Sequence, residues 1–139
     1  MATILVVDDD PAIRQLLTDV LEMDGHVVEV AVDGHDGLRA FEAVQPDFVV
    51  LDVMMPGIDG YGVLRDIRSQ EGDPVPILML TASADADSAA RGWVGGVDYY
   101  LAKPFTADDV LNLVEGALGH QLPATGDTSR DEDSTEGDD

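Results

Sequence analysis

Five side chains that could do chemistry stand at the ends of four short apolar runs in this sequence. Asp8 and Asp9 follow the first run, and Asp52 follows the second. Thr81 follows the third run, and Lys103 follows the fourth. Short continuous apolar runs separated by helix-length stretches are typical of the buried strands of a parallel sheet. Because the carboxyl ends of such strands share the edge where these folds bind ligands, the spacing predicts one crevice with three carboxylates, a hydroxyl and an ammonium.

Asp52 offers the most specific chemistry of the five. A carboxylate at a strand end can attack phosphorus and form an aspartyl phosphate, although a lone aspartate there is more often a turn residue. Asp8 and Asp9 are predicted on the neighbouring strand, where three carboxylates repel each other unless a cation neutralises them. A hard divalent ion with oxygen ligands meets this need, and Mg²⁺ suits phosphate chemistry. The aspartates therefore predict a Mg²⁺ site.

Lys103 is the only lysine in the chain. Its ammonium can pair with Asp52 and neutralise a phosphoryl oxygen, or it can be an ordinary solvated lysine. Thr81 can donate its hydroxyl to the same phosphoryl group or cap the following helix, and the residues alone leave both roles open. Pro104 could hold a cis peptide bond that aims Lys103, but most X-Pro bonds are trans, so we expect the trans form.

Strands and helices are predicted to alternate strictly along the chain. The strands are predicted at Thr3–Asp8, Val27–Val32, Asp47–Asp52, Val75–Thr81 and Val97–Ala102. Five strands and five helices in alternation predict an α/β fold. It is a doubly wound five-stranded parallel sheet of the (βα)₅ flavodoxin-like type, with strand order 2-1-3-4-5.

The helices are predicted from apolar residues at helical spacing, with Asp10 and Pro11 starting the first helix. The predicted apolar stripes are Ile13, Leu16, Leu17, Val20 and Leu21; Leu38, Phe41 and Val44; Tyr61, Val63, Leu64 and Ile67; and Val110, Leu111, Val114 and Leu118. The last of these stripes follows Thr106 and Asp109, whose spacing indicates a capping box. The fourth predicted helix, Ala84–Trp93, has few large apolar residues and is expected to be short or mobile.

The composition bounds the class of protein. The net charge of -22 argues against direct contact with nucleic acid or an anionic membrane, since both need a basic face. No apolar run approaches the roughly 18 residues that span a bilayer, and no secretory signal is recognisable, so we expect a cytoplasmic protein. Residues 1–120 are predicted to form one domain. Residues 121–139 are predicted to be a disordered acidic tail.

Together these motifs resemble the receiver domain of two-component response regulators. The resemblance covers residues 1–119 and rests on Asp8-Asp9, Asp52, Met55-Pro56-Gly57, Asp59-Gly60, Thr81-Ala82 and Tyr100-x-x-Lys103-Pro104-Phe105. It implies a phosphoacceptor signalling protein and not a classical enzyme. Asp52 would take phosphate from a histidine kinase or a histidine phosphotransfer protein.

The resemblance also implies a metal site. Asp9, Asp52 and the backbone carbonyl of Met54 would bind Mg²⁺ directly, and Asp8 would act through water.

A switch is implied as well. Thr81 and Lys103 would bind the phosphoryl group, and Thr81 with Tyr100 would reshape the face formed by the fourth helix, the fifth strand and the fifth helix. That face would then control an effector protein or a phosphorylation-dependent dimer.

Three alternative classes of protein fit these motifs less well. A haloacid-dehalogenase-type phosphatase needs a second acid two residues after the nucleophile, where this chain has Met54. A flavodoxin-like module needs a phosphate-binding loop after the first strand, where Asp9 and Asp10 would repel phosphate. An inactive pseudo-receiver would not need the whole set of acids, hydroxyl and lysine. Without a recognisable output domain we expect a stand-alone regulator, acting as a diffusible signal, a phosphorelay carrier or a regulator of a separate effector.

Overall fold

The computed structural model describes residues 2–55, 57–70, 74–81 and 96–119. Its centre is a single sheet of five parallel strands in the order β2-β1-β3-β4-β5. The strands are β1 (Thr3–Val7), β2 (Val27–Ala31), β3 (Phe48–Asp52), β4 (Ile77–Thr81) and β5 (Tyr99–Ala102). The predicted fold class and strand order are confirmed, and each strand is shorter than predicted by no more than two residues at either end.

Four helices connect or follow these strands in the described part of the chain. They are α1 (Pro11–Met23), α2 (Gly34–Val44), α3 (Gly60–Ser69) and α4 (Ala107–Gly119). Here α4 is the helix predicted as the fifth. The predicted fourth helix, Ala84–Trp93, and the predicted tail, residues 121–139, lie outside the residues that the structure describes.

Apolar side chains on both faces of the sheet form two separate cores. Alternate strand residues such as Val6 and Val50 pack with Leu17 of α1 and Val114 of α4 on one face. Their neighbours in sequence pack with α2 and α3 on the opposite face. Every residue of β3 and β4 is buried, because helices cover both sides of these central strands. Continuous apolar runs are the sequence signature of this arrangement.

The predicted start of α1 is confirmed, and one member of its stripe is partly exposed. Asp10 accepts a hydrogen bond from the backbone N–H of Ala12 at 2.9 Å, and Pro11 is the first helical residue. Leu17 and Leu21 are fully buried, but Leu16 is 38% exposed. Leu16 lies at the edge of the stripe and lines a groove with Phe105 beyond the sheet edge. The predicted stripe is therefore buried at Leu17 and Leu21, and Leu16 lies at its exposed edge.

Small residues bring α2 close to the sheet. Gly37 and Ala40 are buried, whereas the predicted apolar residues Leu38 and Phe41 are only half-buried. A Cβ atom at Gly37 would lie 2.8 Å from Cγ1 of Val7, so a larger residue would push the helix away. The stripe of large side chains therefore flanks this contact and does not make it.

The last helix begins as predicted. The Thr106 N–H donates to Oδ2 of Asp109 at 2.9 Å, and the Asp109 N–H donates to Oγ1 of Thr106 at 3.1 Å. This reciprocal pair satisfies two N–H groups that the first turn leaves without helical partners. It fixes where α4 starts after the loop that carries Lys103.

Arg68 ties the end of α3 to the starts of two strands. Its guanidinium donates to the carbonyls of Gly96 and Val75 and to Oδ2 of Asp98, each at 2.8 Å. The same Asp98 oxygen accepts the N–H of Ile77 at 2.8 Å, so one carboxylate joins β4 to the guanidinium. Charge-assisted hydrogen bonds of this kind are stronger than neutral ones. Arg68 and Asp98 therefore hold the leading ends of β4 and β5 in register.

Replacing Arg68 by Met is expected to lower the free energy of unfolding by about 2 kcal/mol, because two carbonyls and a carboxylate lose a charged donor. Arg39→Met is the matched control. Arg39 pairs with Asp36 on the surface and its side chain is 72% exposed, so its loss should cost no more than about 0.5 kcal/mol. Urea unfolding followed by circular dichroism measures both. Equal losses in the two variants would contradict the role given to Arg68.

Candidate functional site

The four strand ends deliver the predicted side chains to one edge of the sheet. Asp8 directly follows β1, Asp52 is the last residue of β3, and Thr81 is the last residue of β4. Lys103 directly follows β5, and its N–H donates to the carbonyl of Thr81 at 2.7 Å. Because the strands are parallel and in register, all four side chains begin at the same level.

Three carboxylates form a compact cluster at this edge. Each of Asp8, Asp9 and Asp52 offers a carboxylate oxygen, and these oxygens lie within 4.8 Å of one another. Asp8 is fully buried and Asp52 is 2% exposed, whereas Asp9 is open to solvent. The cluster is thus buried on the sheet side and accessible from above.

The carboxylate of Asp8 fits the predicted metal. Its Oδ1 accepts the N–H of Asp10 at 2.9 Å, which fixes the orientation of the group. Its Oδ2 is buried and has no hydrogen-bond partner among the described residues. A buried carboxylate oxygen that accepts no hydrogen bond is costly, and a hard cation would satisfy it. The donor set, which consists of carboxylates alone at close range, suits Mg²⁺.

Lys103 reaches into the cluster from the opposite side. Its Nζ lies 3.1 Å from Oδ1 of Asp52 and 3.6 Å from Oδ2 of Asp8. The peptide bond between Lys103 and Pro104 is cis, so the expectation of a trans bond is wrong. The general preference for trans could not anticipate a bond whose isomer is set by the surrounding fold.

The electrostatics of the cluster follow from burial and crowding. Burial, together with the charge of Asp8, raises the pKa of Asp52 to about 6 although Lys103 opposes the shift. Burial also raises the pKa of Asp8. Partial burial disfavours the Lys103 ammonium, but the hydrogen bond to Asp52 and the charge of Asp8 outweigh it and raise the pKa of Lys103. The lysine stays charged, and the two buried carboxyls hold protons more tightly than free ones.

The remaining predicted residues surround this cluster. Thr81 is 2% exposed, and the side chain of Met54, in the loop after β3, is 69% exposed. Tyr100 is half-buried on β5 and aligned with Met79 of β4. Ala82 and Pro56 of the predicted motifs fall on positions that the structure does not describe.

Close packing behind Asp52 fixes the backbone of the site. The N–H of Gly60, the first residue of α3, donates to the carbonyl of Val53 at 2.9 Å. A Cβ atom at Gly60 would lie 2.4 Å from the carbonyl oxygen of Asp52 and 2.8 Å from Cα of Val53. Only a glycine therefore lets α3 approach the strand end that carries Asp52.

Two residues near the site were not predicted to have a role there. Arg14 on α1 donates from Nη1 to the backbone carbonyl of Asp8 at 2.8 Å, and this contact ties the helix to the strand end. The hydroxyl of Tyr61 on α3 lies 3.1 Å from the hydroxyl of Tyr100. The sequence placed Tyr61 in an apolar stripe, which is correct for its ring. Its hydroxyl could have predicted a hydrogen-bond partner, because a buried tyrosine hydroxyl usually has one.

The fold and the site together define a class of protein, a doubly wound α/β module with a buried acidic cluster and a lysine at the carboxyl edge of its sheet. Residues 4–115 match the family model for the response regulator receiver domain. The chain belongs to this family, as the resemblance in the sequence predicted.

Two curated relatives are each longer than the segment that this chain matches. This chain is 44% identical over 123 residues to response regulator MprA of Mycolicibacterium vanbaalenii. The match covers 88% of this chain and 53% of MprA. It is 41% identical over 119 residues to the DNA-binding dual master transcriptional regulator RpaA of Synechocystis. That match covers 85% of this chain and 49% of RpaA. The chain spans about half the length of these curated relatives, so the comparisons give no support to the predicted stand-alone status.

The prediction that the protein does not bind nucleic acid directly is overturned by the same comparison. RpaA is a DNA-binding transcriptional regulator, and this chain matches about half of its length. The charge argument failed because a net charge of -22 describes the surface of this chain alone. It gives no information on the half of RpaA that the match leaves uncovered.

A solved relative connects the acidic cluster with a metal. The structure of TrrA of Thermotoga maritima was solved in complex with Mg²⁺ and BeF. It matches this chain with a TM-score of 0.75 and 37% identity, and the match covers 84% of this chain and 99% of that chain.

A separate observation concerns membranes. Within the described ranges, none of the helices combines the length and apolar character that a membrane crossing requires.

Replacing Asp52 by Asn is expected to raise the free energy of unfolding at pH 7, with divalent ions removed, by about 1–3 kcal/mol. The pKa of Asp52 lies near 6 in the folded protein, above the ordinary value of 3.8. The folded state therefore binds more protons than the unfolded chain between these values, and the wild type loses stability as the pH rises through this window. Urea unfolding at several pH values measures the difference, which should vanish below about pH 4.

Asp36→Asn is the matched control, with the opposite sign. Hydrogen bonds from Arg39 and from the Val32 N–H hold the pKa of Asp36 below its ordinary value. Its replacement should therefore lower stability at pH 7, and the loss should fade as the pH falls. A constant difference between Asp52→Asn and the wild type from pH 4 to pH 7 would contradict the proposed burial of charge.

Proposed function

We propose that Asp52 accepts a phosphoryl group from a histidine kinase or a histidine phosphotransfer protein. The observation that carries this proposal is the buried Asp52 carboxylate, paired with Lys103 at 3.1 Å and next to an Asp8 oxygen that accepts no hydrogen bond among the described residues. A nucleophile, a fixed cation and a site for a second cation are what phosphoryl transfer to a carboxylate needs. Membership of the receiver family supports the same function.

The chemical step follows from these groups. A carboxylate oxygen of Asp52 forms a bond to phosphorus while the bond from phosphorus to the donor imidazole nitrogen breaks. The imidazole nitrogen keeps the electron pair of the broken bond and is protonated from solvent. The ammonium of Lys103 balances the negative charge that the phosphoryl oxygens bring into the cluster. The raised pKa of Lys103 keeps this charge in place at neutral pH.

The proposed metal ligands are the carboxylates of Asp9 and Asp52 and the backbone carbonyl of Met54, with Asp8 acting through water. When bound, Mg²⁺ neutralises phosphoryl oxygens and lowers the repulsion between them and the aspartates. The close carboxylates support this assignment, and so does the buried Asp8 oxygen that accepts no hydrogen bond among the described residues. The solved complex of TrrA with Mg²⁺ and BeF supports it from a relative.

The signal leaves the site through Thr81 and Tyr100 in this proposal. The Thr81 hydroxyl binds a phosphoryl oxygen and moves inward, and the Tyr100 ring follows into the space that Thr81 leaves. The bistable element is the face of β5 and α4, together with the predicted fourth helix. The burial of Thr81 at the end of β4 and the half-buried ring of Tyr100 on the next strand support this coupling.

The output belongs to an effector that recognises this face. RpaA, a DNA-binding transcriptional regulator, gives one example of the output that a receiver of this kind serves. A receiver domain at residues 1–120, an acidic tail at residues 121–139 and a cytoplasmic location are parts of the same proposal and remain predictions.

Phosphorylation of Asp52 is tested with acetyl phosphate and Mg²⁺ by intact-protein mass spectrometry. The wild type should gain the mass of one phosphoryl group, and Asp52→Asn should gain none, because an amide is not a competent nucleophile. Asp66→Asn, at an exposed position of α3, is the matched control and should be labelled as the wild type is. Label retained in Asp52→Asn, or label unchanged when EDTA replaces Mg²⁺, would refute the proposal.

Replacing Thr81 by Ala should separate the chemistry from the signal. The variant keeps Asp52 and Lys103 and should still be labelled, with a rate reduced by less than about tenfold, because one hydroxyl contact to the phosphoryl group is lost. The Tyr100 ring should no longer respond to phosphorylation. Proton NMR of the tyrosine rings before and after addition of beryllofluoride and Mg²⁺ measures the response. A full response of Tyr100 in Thr81→Ala would contradict the coupling.

A further inference from the structure

The hydroxyl of Tyr61 has a specific partner that the proposed mechanism does not use. Tyr61 is the second residue of α3, and it is 7% exposed. Its ring packs among the apolar residues between α3 and the sheet, and Tyr100 packs against the same cluster. A buried phenol hydroxyl is costly unless it makes hydrogen bonds, so its partners matter for stability and for position.

One of those partners is the hydroxyl of Tyr100. The two oxygens are 3.1 Å apart, and either can be the donor. The bond joins the helix that packs behind Asp52 to the edge strand β5, across 39 positions of sequence. Tyr99, the preceding residue of β5, belongs to the opposite face and stacks on Phe48, with ring centroids 6.3 Å apart. The link to α3 is therefore specific to Tyr100.

We propose that Tyr61 is a positioning residue that holds the Tyr100 ring inward through this hydrogen bond and so sets how strongly Tyr100 responds to the phosphoryl group. The inference rests on the proposed function, since the switching role of Tyr100 is part of it. The hydrogen bond can form only while the Tyr100 hydroxyl points at the α3 side of the sheet. It therefore stabilises the inward ring over an outward ring.

The strength of a neutral hydrogen bond sets the size of the effect. A net contribution typical of such bonds corresponds to about a two- to tenfold change in the ratio of inward to outward Tyr100. A change of this size can move a balanced two-state switch without altering the fold. Tyr61→Phe removes the hydroxyl and keeps the buried ring, so it isolates this contribution.

The chain offers a clean spectroscopic test, because it contains only three tyrosines. Labelling with 3-fluorotyrosine gives one ¹⁹F resonance for each, and the three single Phe variants assign them. In Tyr61→Phe, without phosphoryl analogue, the Tyr100 resonance should move towards the value of the urea-unfolded protein, as expected for a two- to tenfold loss of the inward ring. In Tyr99→Phe, the matched control, the Tyr100 resonance should stay in place.

The other resonances separate positioning from general stability. The Tyr99 resonance should be nearly unchanged in Tyr61→Phe, because the ring that fills the core is retained, and the urea unfolding midpoint should fall by no more than the loss of one neutral hydrogen bond explains. An unchanged Tyr100 resonance in a folded Tyr61→Phe would overturn the inference. If that variant does not fold, Tyr100→Phe removes the same bond from the other side, and the Tyr61 resonance should then shift. No shift there would also overturn it.

Beryllofluoride with Mg²⁺ distinguishes this inference from the proposed function. In the wild type, beryllofluoride should shift the Tyr100 resonance further from the value of the urea-unfolded protein. In Tyr61→Phe this shift should saturate at a beryllofluoride concentration about two- to tenfold higher than in the wild type. If the chemical shift of Tyr100 in the wild type does not change when beryllofluoride is added, the switching role of Tyr100 is refuted. The spectra recorded without beryllofluoride decide separately whether Tyr61 affects the position of the Tyr100 ring in the unphosphorylated protein.

Discussion

The crowding of negative charge at the end of β3 is the constraint on which the rest of the structure depends. Asp8 and Asp52 are buried side by side. Among the described residues, the Lys103 ammonium is the positive charge that pairs with both. The arrangement is unfavourable by itself, because burial and the charge of Asp8 raise the pKa of Asp52. Such strain persists only where the surrounding fold holds the groups in place, and sites for reactive ligands are where it is found.

The two cores and the close helix contacts supply that support. Strands buried on both faces cannot shift to separate the carboxylates without exposing apolar surface. Gly60 lets α3 press directly against the backbone of Asp52, and Arg68 fastens the far end of the same helix to β4 and β5. The site is therefore held by packing behind it and by charge in front of it. An incoming anion or cation would change the second of these more than the first.

The sequence predicted the sheet, its strand order and the placement of the site residues, because apolar runs and their polar ends follow simple rules of burial. It failed where side-chain pattern and packing distance diverge. The face of α2 nearest the sheet is built from Gly37 and Ala40, and Leu16 turns out towards solvent. The cis bond at Pro104 and the tie between Tyr61 and Tyr100 depend on three-dimensional neighbours. Neither could be inferred from spacing along the chain.

Lys103 gives this protein an unusual relation to amine chemistry. It is the only lysine side chain in the sequence, and it is three-quarters covered and bound to two carboxylates. Amine-directed acylating and cross-linking reagents react with the neutral amine, which the raised pKa of Lys103 makes scarce. The side chains of this chain are therefore nearly inert to such reagents while the ion pairs are intact. Reactivity of a lysine would report that the acidic cluster had opened.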